Sequence, residues 1–254
     1  MELLGIDIGG TGIKGAIVDT LTGELLSKRE RIDTPQPADP ANLAKTVVRI
    51  VKHFDYKGPV GCGFPAVIKN GVALTAGNID PECKGTNVEK LFSKASGCKF
   101  TVLNDADVAG IAEMKLGAGV DQMGTVILIT VGTGLGSGVF YDGILIPNIE
   151  LGMIFGKNGL PIESYASDKA RKKNELSWDE WGKRFNFFLN HINTTFTPDL
   201  FILGGGVSKK FDKFSNLISV KTPVIIANFK NNAGIIGAAI AAEQNELKTK
   251  KPLL

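Results

Sequence analysis

The chain has 254 residues, of which 43% are apolar and 22% charged, and its formal net charge is +3. This composition predicts a folded protein of one large or two smaller domains and argues against disorder. The charge slightly favours an anionic ligand but is too small to indicate nucleic-acid binding.

No run of sequence reaches the roughly 20 apolar residues of a membrane span, and the first residues lack the basic segment of a secretory signal. Cys62, Cys83 and Cys98 are an odd number of cysteines without a close pair, which is typical of neither a zinc cluster nor a disulfide framework. We therefore expect a cytoplasmic protein with no membrane partner and no zinc site.

The first third of the chain alternates apolar runs with tight turns. Residues 3–8 and 15–18 are apolar runs on either side of a glycine-rich turn, and a third strand follows Gly23. This pattern predicts an antiparallel meander. A helix is predicted next, with Asp39 as its cap and Pro40 as its first residue, because the apolar residues that follow recur at helical spacing.

Two further strands are predicted at residues 60–64 and 101–103. The second ends in Asn104 and Asp105, and a helix is predicted from there to about Leu116. An aspartate at such a junction either caps the helix or accepts the proton of a hydroxyl that is being phosphorylated.

The opening pattern returns in the middle of the chain. Residues 125–130 form an apolar run that enters a glycine-rich segment at 131–138, much as the first strand enters its turn. One architectural unit therefore occurs twice, and we expect two βββα-type halves that face each other across a cleft. The first domain is expected at 1–105, with a C-terminal helix at 234–246 returning to it, and the second at 106–233.

The last third of the chain supplies the remaining elements. Ser177 and Glu180 form a capping box at the start of a helix. Residues 200–203 are a strand that enters three glycines, and the alanine-rich stretch 233–242 predicts a closely packed helix. The polar, basic segment 167–174 is interpreted as an exposed insertion.

Three glycine-rich turns each follow an apolar strand. Glycine lets backbone N–H groups converge on a phosphate, although a single such turn is more typical of an ordinary hairpin. The sequence has no P-loop motif, and the dinucleotide fingerprint that begins at Gly10 is followed by a predicted strand instead of the helix it requires. The predicted phosphate-binding residues are Gly9, Gly10, Thr11, Thr133, Gly134, Gly136, Gly204, Gly205 and Gly206.

Polar residues near these turns complete the predicted site. Asp7 is interpreted either as an orienting ligand for hydrated Mg²⁺ or as a turn-forming aspartate. Lys14 either supplies positive charge near a transferred phosphoryl group or is a solvated lysine on a strand. Asn104, which offers both a donor and an acceptor, is predicted to bind sugar hydroxyls together with Asn78 and Glu150.

Taken together, these motifs resemble the ROK family of sugar kinases, and within it the polyphosphate glucokinases. The resemblance rests on residues 7–15, 34–38, 103–107, 133–137, 145–148, 198–202 and 204–209. It implies an α/β, actin-like (ribonuclease H-like) two-domain fold with an interdomain cleft, Mg²⁺ as cofactor and, usually, a homodimer. It also implies phosphoryl transfer from polyphosphate or ATP to the 6-hydroxyl of glucose or a related sugar or polyol, with Asp105 as the catalytic base.

Three residues depart from the family pattern, all on the sugar side. Met153 replaces a histidine that contacts sugar hydroxyls, Phe155 stands where the glucokinases tend to carry a glutamate, and Ala66 replaces a glycine. Buried apolar groups there would leave hydroxyls unsatisfied. A second hypothesis is therefore a catalytically weak protein of the same fold that binds a phosphate-containing ligand. The basic residues in 167–174 and at 209–210 are interpreted either as a solvated surface or as a path for a long polyanion.

Overall fold

The structure, a computed structural model, describes residues 1–156 and 159–250. No helix in this part of the chain is both long and apolar enough to cross a membrane. The chain forms two compact units: unit 1 is Met1–Ala112 together with the segment that starts at Asn232, and unit 2 is Glu113–Asn231. The domain bounds expected from the sequence, 1–105 with 234–246 and 106–233, describe parts that fold independently and remain a prediction.

The elements are numbered in chain order. The strands are β1 (Glu2–Ile8), β2 (Ile13–Asp19), β3 (Glu30–Ile32), β4 (Val60–Phe64), β5 (Ile68–Lys69), β6 (Val72–Ala73), β7 (Phe100–Asn104), β8 (Thr125–Val131), β9 (Leu135–Tyr141), β10 (Ile144–Ile146), β11 (Leu200–Gly204) and β12 (Val224–Ile226). The α-helices are α1 (Pro40–His53), α2 (Val88–Ser96), α3 (Asp105–Leu116), α4 (Glu163–Ala166), α5 (Asp168–Lys173), α6 (Trp178–Phe196) and α7 (Ala233–Lys250). Short 3-10 helices lie at Pro81–Cys83, Leu151–Met153, Gly206–Lys213, Ser215–Leu217 and Lys230–Asn232.

Unit 1 is built on a sheet with the strand order β3-β2-β1-β4-β7. β1, β2 and β3 form the predicted antiparallel meander, whereas β1, β4 and β7 run parallel. Successive side chains of a strand point to opposite faces. Leu4, Ile6 and Ile8 therefore enter the core with α1 and α2, and Gly5 and Asp7 point to the other face. Because the parallel strands end together, the residues that follow them lie at one edge of the sheet.

Helix α7 covers that second face at very short range, which glycines make possible. A Cβ on Gly5 would collide with the carbonyl of Ile235, and a Cβ on Gly61 would collide with that of Ala238. A third glycine, Gly237 of α7, lies equally close to α3. The predicted closely packed C-terminal helix is thus confirmed, and its first turn is held against β1.

Unit 2 repeats the strand arrangement of unit 1. Its sheet has the order β10-β9-β8-β11-β12, with β10, β9 and β8 antiparallel and β8, β11 and β12 parallel. This matches the unit 1 sheet strand for strand, so the predicted repetition of one architectural unit is confirmed. Gly204 pairs with Thr130, which places the ends of β8 and β11 side by side.

The helices of unit 2 confirm one prediction and include a helix that was not predicted. α6 starts at the predicted capping box, in which Ser177 and Glu180 each accept the other's backbone N–H. The buried Trp181 of this helix anchors an aromatic core. In the segment 167–174, predicted as an exposed insertion, only Ser167 and Ala170 are buried, and most of the segment forms helix α5, whose N-terminus is capped by the hydroxyl of Ser167.

Candidate active site

Two aspartates lie at the edge of the unit 1 sheet where its parallel strands end. Asp7 is near the end of β1, and Asp105 follows β7 directly as the first residue of α3. Gly63 of the intervening strand β4 lies between them. The point where its Cβ would sit is 3.6 Å from Asp105 Cα and 3.8 Å from Asp7 Oδ1. At this point no side chain of β4 separates the two acids.

Asp7 is surrounded by positive groups. Its Oδ2 lies 3.2 Å from Lys14 Nζ, its direct partner across the β1–β2 pair, and both side chains are mostly buried. On the other side, a Cβ on Gly234 would come within 2.8 Å of Asp7 Cγ, so the first turn of α7 reaches the carboxylate. Within the described residues Asp7 accepts no turn N–H, so the turn-forming interpretation is not supported. The ammonium group and the positive end of a long helix both attract anions to this corner.

The turn between β1 and β2 is held through its carbonyl groups. Gly9 donates its N–H to the carbonyl of Gly12 at 3.1 Å, which closes the turn. Thr34 donates its hydroxyl to the carbonyl of Gly9, and Arg31 donates from Nη2 to the carbonyl of Thr11 at 3.0 Å. The carbonyl oxygens of Gly9, Thr11 and Gly12, which would repel an anion, thereby accept hydrogen bonds from the protein.

The N–H groups of the same turn remain available to a ligand. Within the described part of the chain, neither Gly10 nor Thr11 donates its backbone N–H to another residue. Asn78 lies beside Gly10, with its Cβ 3.1 Å from where a Cβ on Gly10 would sit, and it is exposed. The structure thus brings five groups of predicted residues together in unit 1: Asp7, Gly9–Thr11, Lys14, Asn78 and Asp105.

Asn104 and Asp105 both accept N–H groups at the start of α3, so the choice between cap and base that the sequence left open for Asp105 stays open. Asn104 Oδ1 accepts the N–H groups of Ala106 at 2.8 Å and Asp107 at 3.1 Å, which is the interaction of a helix cap. Its Nδ2 donates to the carbonyl of Ala66 at 3.2 Å, and the side chain is buried. Asn104 is therefore the cap of α3, and its predicted contact with sugar hydroxyls stays a prediction. The carboxylate of Asp105 is half-buried at the first turn of the helix.

The glycine turns of unit 2 lie side by side at the ends of β8 and β11. Gly205 has φ 76° and approaches Val131 so closely that its Cβ would lie 2.6 Å from the Val131 nitrogen. At Gly132 and Gly206, by contrast, a Cβ would meet nothing within 4 Å, so the backbone there is open to a ligand. Gly136, predicted in a loop, lies in β9, because the turn ends at residue 134.

Two acidic residues hold the first of these turns, Glu163 through its carboxylate and Asp168 through its backbone N–H, and sequence reasoning missed both. Glu163 Oε2 accepts the Leu135 N–H at 3.1 Å and touches Gly134. Asp168 donates its backbone N–H to the carbonyl of Gly132 at 3.1 Å. Burial by itself would raise the pKa of the Asp168 carboxyl, but hydrogen bonds from Lys172 and Arg171 outweigh it and lower that pKa. No local pattern identifies such residues, because their partners are about 30 positions away in the sequence.

One expectation about the predicted sugar-side residues of unit 2, that Met153 and Phe155 are buried, is wrong. Glu150 is half-buried just before the short helix Leu151–Met153. The side chains of Met153 and Phe155, expected to be buried, are 51% and 72% exposed. The reason is that Leu151 and Gly152 form the inward side of this helix and pack on β9, which turns Met153 outward.

A buried acid outside the candidate site was also missed. Glu113 of α3 is fully buried, and its carboxylate accepts three backbone N–H groups. Ala118 and Asn228 donate to Oε2 at 2.9 and 3.0 Å, and Phe229 donates to Oε1 at 2.8 Å. Glu113 therefore ties the end of α3 to the segment that leads into α7. Such a contact across 115 positions leaves no trace in sequence patterns.

Comparisons with known proteins agree with this geometry. The model of the ROK family matches residues 3–150. The polyphosphate glucokinase of Mycobacterium tuberculosis (strain CDC 1551 / Oshkosh) is 44% identical over 239 residues, which cover 94% of this chain and 90% of that protein. The polyphosphate glucokinase of Mycobacterium leprae (strain TN) is 42% identical, with coverage of 94% and 74%. The crystal structure of an inorganic polyphosphate/ATP-glucomannokinase from Arthrobacter sp. strain KM has a TM-score of 0.92 and 43% identity and covers 96% of this chain and 99% of that one.

Proposed function

The chain belongs to the ROK family, and on this premise we propose that it is a sugar kinase. It transfers a phosphoryl group from polyphosphate or ATP to the 6-hydroxyl of glucose or a closely related sugar. Its fold is the actin-like two-domain α/β fold of the ROK sugar kinases. The alternative of a nearly inactive phosphate binder is not favoured, because the similarity to polyphosphate glucokinases spans 94% of the chain.

The observation that carries the proposal is the pair of aspartates beside Gly63. Phosphoryl transfer to a hydroxyl requires a base at the acceptor and positive charge at the phosphates. Asp105 supplies a carboxylate at the end of β7, and Lys14 supplies an ammonium group one strand beyond Asp7. Asp105 Cα and Asp7 Oδ1 each lie within 4 Å of the point where a Cβ on Gly63 would sit, and Lys14 Nζ lies 3.2 Å from Asp7 Oδ2.

In the proposed reaction the sugar hydroxyl oxygen attacks the terminal phosphorus of the donor. Its proton passes to the carboxylate of Asp105, while the bond from that phosphorus to the bridging oxygen breaks. The products are the sugar phosphate and either ADP or polyphosphate shortened by one unit. Lys14 and the N–H groups of Gly10 and Thr11 stabilise the negative charge on the phosphoryl oxygens.

Asp7 is the residue that we propose to hold Mg²⁺. This ion keeps several waters and binds one or two carboxylates plus substrate phosphates, without a dedicated protein cage. One carboxylate beside a turn with available N–H groups fits that requirement. When bound, the ion neutralises charge on the donor phosphates.

The turns of unit 2 are proposed to bind donor phosphates as well. Within the described residues, Thr133 and Gly134 do not donate their N–H groups, and Gly206 has open backbone. Glu150, Asn78 and Asn104 remain the proposed contacts for the sugar. We further propose that the protein is cytoplasmic and forms a homodimer. Its three free, buried cysteines suit a reducing compartment, and size-exclusion chromatography with light scattering measures its oligomeric state.

A coupled assay tests the proposed function. Sugar phosphate formation is measured with glucose, mannose and N-acetylmannosamine, each with ATP and with polyphosphate as donor, in the presence of Mg²⁺. We expect turnover of glucose or mannose with at least one donor. No turnover of any sugar with either donor would contradict the proposal.

A further inference from the structure

Three charged residues form a row across the first three strands of unit 1. Asp7 is directly opposite Lys14 in the β1–β2 pair, and Lys14 is directly opposite Arg31 in the β2–β3 pair. Directly opposed residues lie on the same face of a sheet with their Cβ atoms about 5 Å apart, where two like charges destabilise each other. The Lys14–Arg31 pair therefore destabilises the sheet, and an anion bound next to the two side chains would relieve their repulsion.

The guanidinium group of Arg31 lies against the turn between β1 and β2. Nη2 donates to the carbonyl of Thr11, and a Cβ on Gly12 would be only 2.8 Å from Nε and from Nη2. Gly12 therefore admits the guanidinium group to the turn whose neighbouring N–H groups are available. Within the described residues, the other partner of Arg31 is Asp33, at 2.6 Å from Nη1.

The ion pair with Asp33 does not account for the position of Arg31. The side chain of Asp33 is 82% exposed and that of Arg31 47% exposed, and pairs in such surroundings contribute little to stability. Arg31 has five N–H donors, so it can bind a phosphate in a bidentate manner while it keeps its bond to Thr11.

We propose that Arg31 is a binding residue for the phosphoryl donor, which it contacts through anionic phosphate oxygens next to Lys14. The inference deepens the proposed function and rests on it for the identity of the donor as a polyphosphate or a nucleoside triphosphate. A neutral sugar has no charge for this row to recognise, so the contact is with the donor and not with the acceptor.

The test is direct binding of inorganic tripolyphosphate, measured by isothermal titration calorimetry without sugar. We expect Arg31→Gln to weaken binding by roughly 10- to 100-fold, the loss typical of a charge-assisted hydrogen bond. Arg31→Lys keeps the charge but not the bidentate geometry, and we expect an intermediate loss. The matched control is Arg29→Gln. Arg29 is an exposed arginine that immediately precedes β3 and donates a hydrogen bond to Asn232. Its substitution should leave the affinity for tripolyphosphate unchanged.

The salt dependence of tripolyphosphate binding distinguishes a direct contact between Arg31 and the phosphate from an indirect effect of Arg31 on the structure of the turn. A direct contact implies that binding to Arg31→Gln is less sensitive to salt than binding to the parent. Parental affinity of Arg31→Gln, an equal loss in Arg29→Gln, or a loss with parental salt dependence would each overturn the inference. If Arg31→Gln weakens binding as expected but the parent phosphorylates no sugar, the proposed function fails, and only the contact of Arg31 with phosphate oxygens stands.

Discussion

At the scale of single residues, glycines decide how the charged groups of unit 1 meet. Gly63 places no side chain between Asp7 and Asp105, and Gly234 lets the first turn of α7 lie against Asp7. Gly12 leaves room for the guanidinium group of Arg31 beside the turn. A Cβ on Gly234 or Gly12 would come within 3 Å of a charged side chain, and a Cβ on Gly63 would collide with Val108 Cγ2 at 2.7 Å. None of these three glycines has a positive φ, so the requirement for glycine comes from packing and not from backbone conformation.

The exposed Met153 gives a residue-scale prediction about the acceptor. A histidine at this position can hydrogen-bond a sugar hydroxyl, as the resemblance to the ROK kinases implies, and a methionine cannot donate such a bond. We expect Met153→His to raise kcat/KM for glucose by about 2- to 10-fold, the value of one hydrogen bond. Because the side chain is 51% exposed, the substitution should not disturb folding.

Met123→His is the matched control for this prediction, since Met123 is an exposed methionine of the same unit. It should leave the glucose kinetics unchanged. Equal values of kcat/KM for the parent and Met153→His would show that Met153 does not limit the activity with glucose.

At the scale of elements, buried carboxylates join segments that are far apart in the chain. Glu113 accepts three N–H groups from partly buried backbone, so its replacement by alanine removes three hydrogen bonds to a carboxylate. Hydrogen bonds to charged groups contribute about 1.5–3 kcal/mol each. We expect Glu113→Ala to lower the free energy of unfolding by about 3 kcal/mol or more in urea titrations.

The comparison for Glu113→Ala is Glu24→Gln, which changes an exposed glutamate. This control should unfold like the parent. An Glu113→Ala variant with the parental unfolding curve would mean that water satisfies the three N–H groups.

The basic segments of unit 2 give a second element-scale prediction. In α5, Asp168 forms ion pairs with Arg171 and Lys172, which leaves Lys169 and Lys173 as exposed cations of this helix. Asp168, the first residue of α5, donates its backbone N–H to the carbonyl of Gly132. The cations of α5 therefore lie next to a turn that is proposed to bind phosphate. If they guide a long polyanion, Lys169→Glu with Lys173→Glu should raise KM for long polyphosphate several-fold and leave KM for ATP unchanged.

Charge reversal on a remote helix controls for net charge. Lys45→Glu with Lys52→Glu makes the same change on the exposed side of α1. Equal effects of the α5 pair on both donors, or equal effects of the two pairs on polyphosphate, would support the solvated-surface interpretation.

Local sequence patterns predicted most elements and the conformation at their ends. Asp39 caps α1 by accepting the N–H of Asn42, and the capping box at Ser177 starts α6, because caps depend on residues within one turn. The repeated unit of strand, glycine turn and strand was predictable for the same reason, since its turns and apolar runs are contiguous. α5 was missed because the fold buries Ser167, which no neighbouring residue indicates.

The site was predictable only in part, because sequence does not give strand register. Asp7, Lys14 and the glycine turns stand next to apolar strands and were identified from that position. The row from Asp7 to Arg31 depends on which residues of β2 and β3 are paired, and a shift by one position would point Arg31 to the opposite face. Glu163 and Glu113 depend on contacts between distant segments in the same way.

At the scale of the whole molecule, two copies of one strand arrangement hold different groups of the proposed site. Unit 1 contains the two aspartates, Lys14 and the first turn, and unit 2 contains the two further glycine turns. We therefore propose that the proton transfer takes place in unit 1 alone, with the carboxylate of Asp105 as the base of a phosphoryl transfer to a sugar.

The most direct test is the turnover number of Asp105→Asn with glucose and the preferred donor, next to Asp179→Asn. Asp179 is an exposed aspartate in the first turn of α6, so its substitution makes the same chemical change at an equivalent helix position. We expect Asp105→Asn to lose roughly 10²- to 10⁴-fold in kcat while it binds tripolyphosphate like the parent. Asp179→Asn should retain parental turnover. A near-parental kcat of Asp105→Asn would show that this carboxylate is not the base.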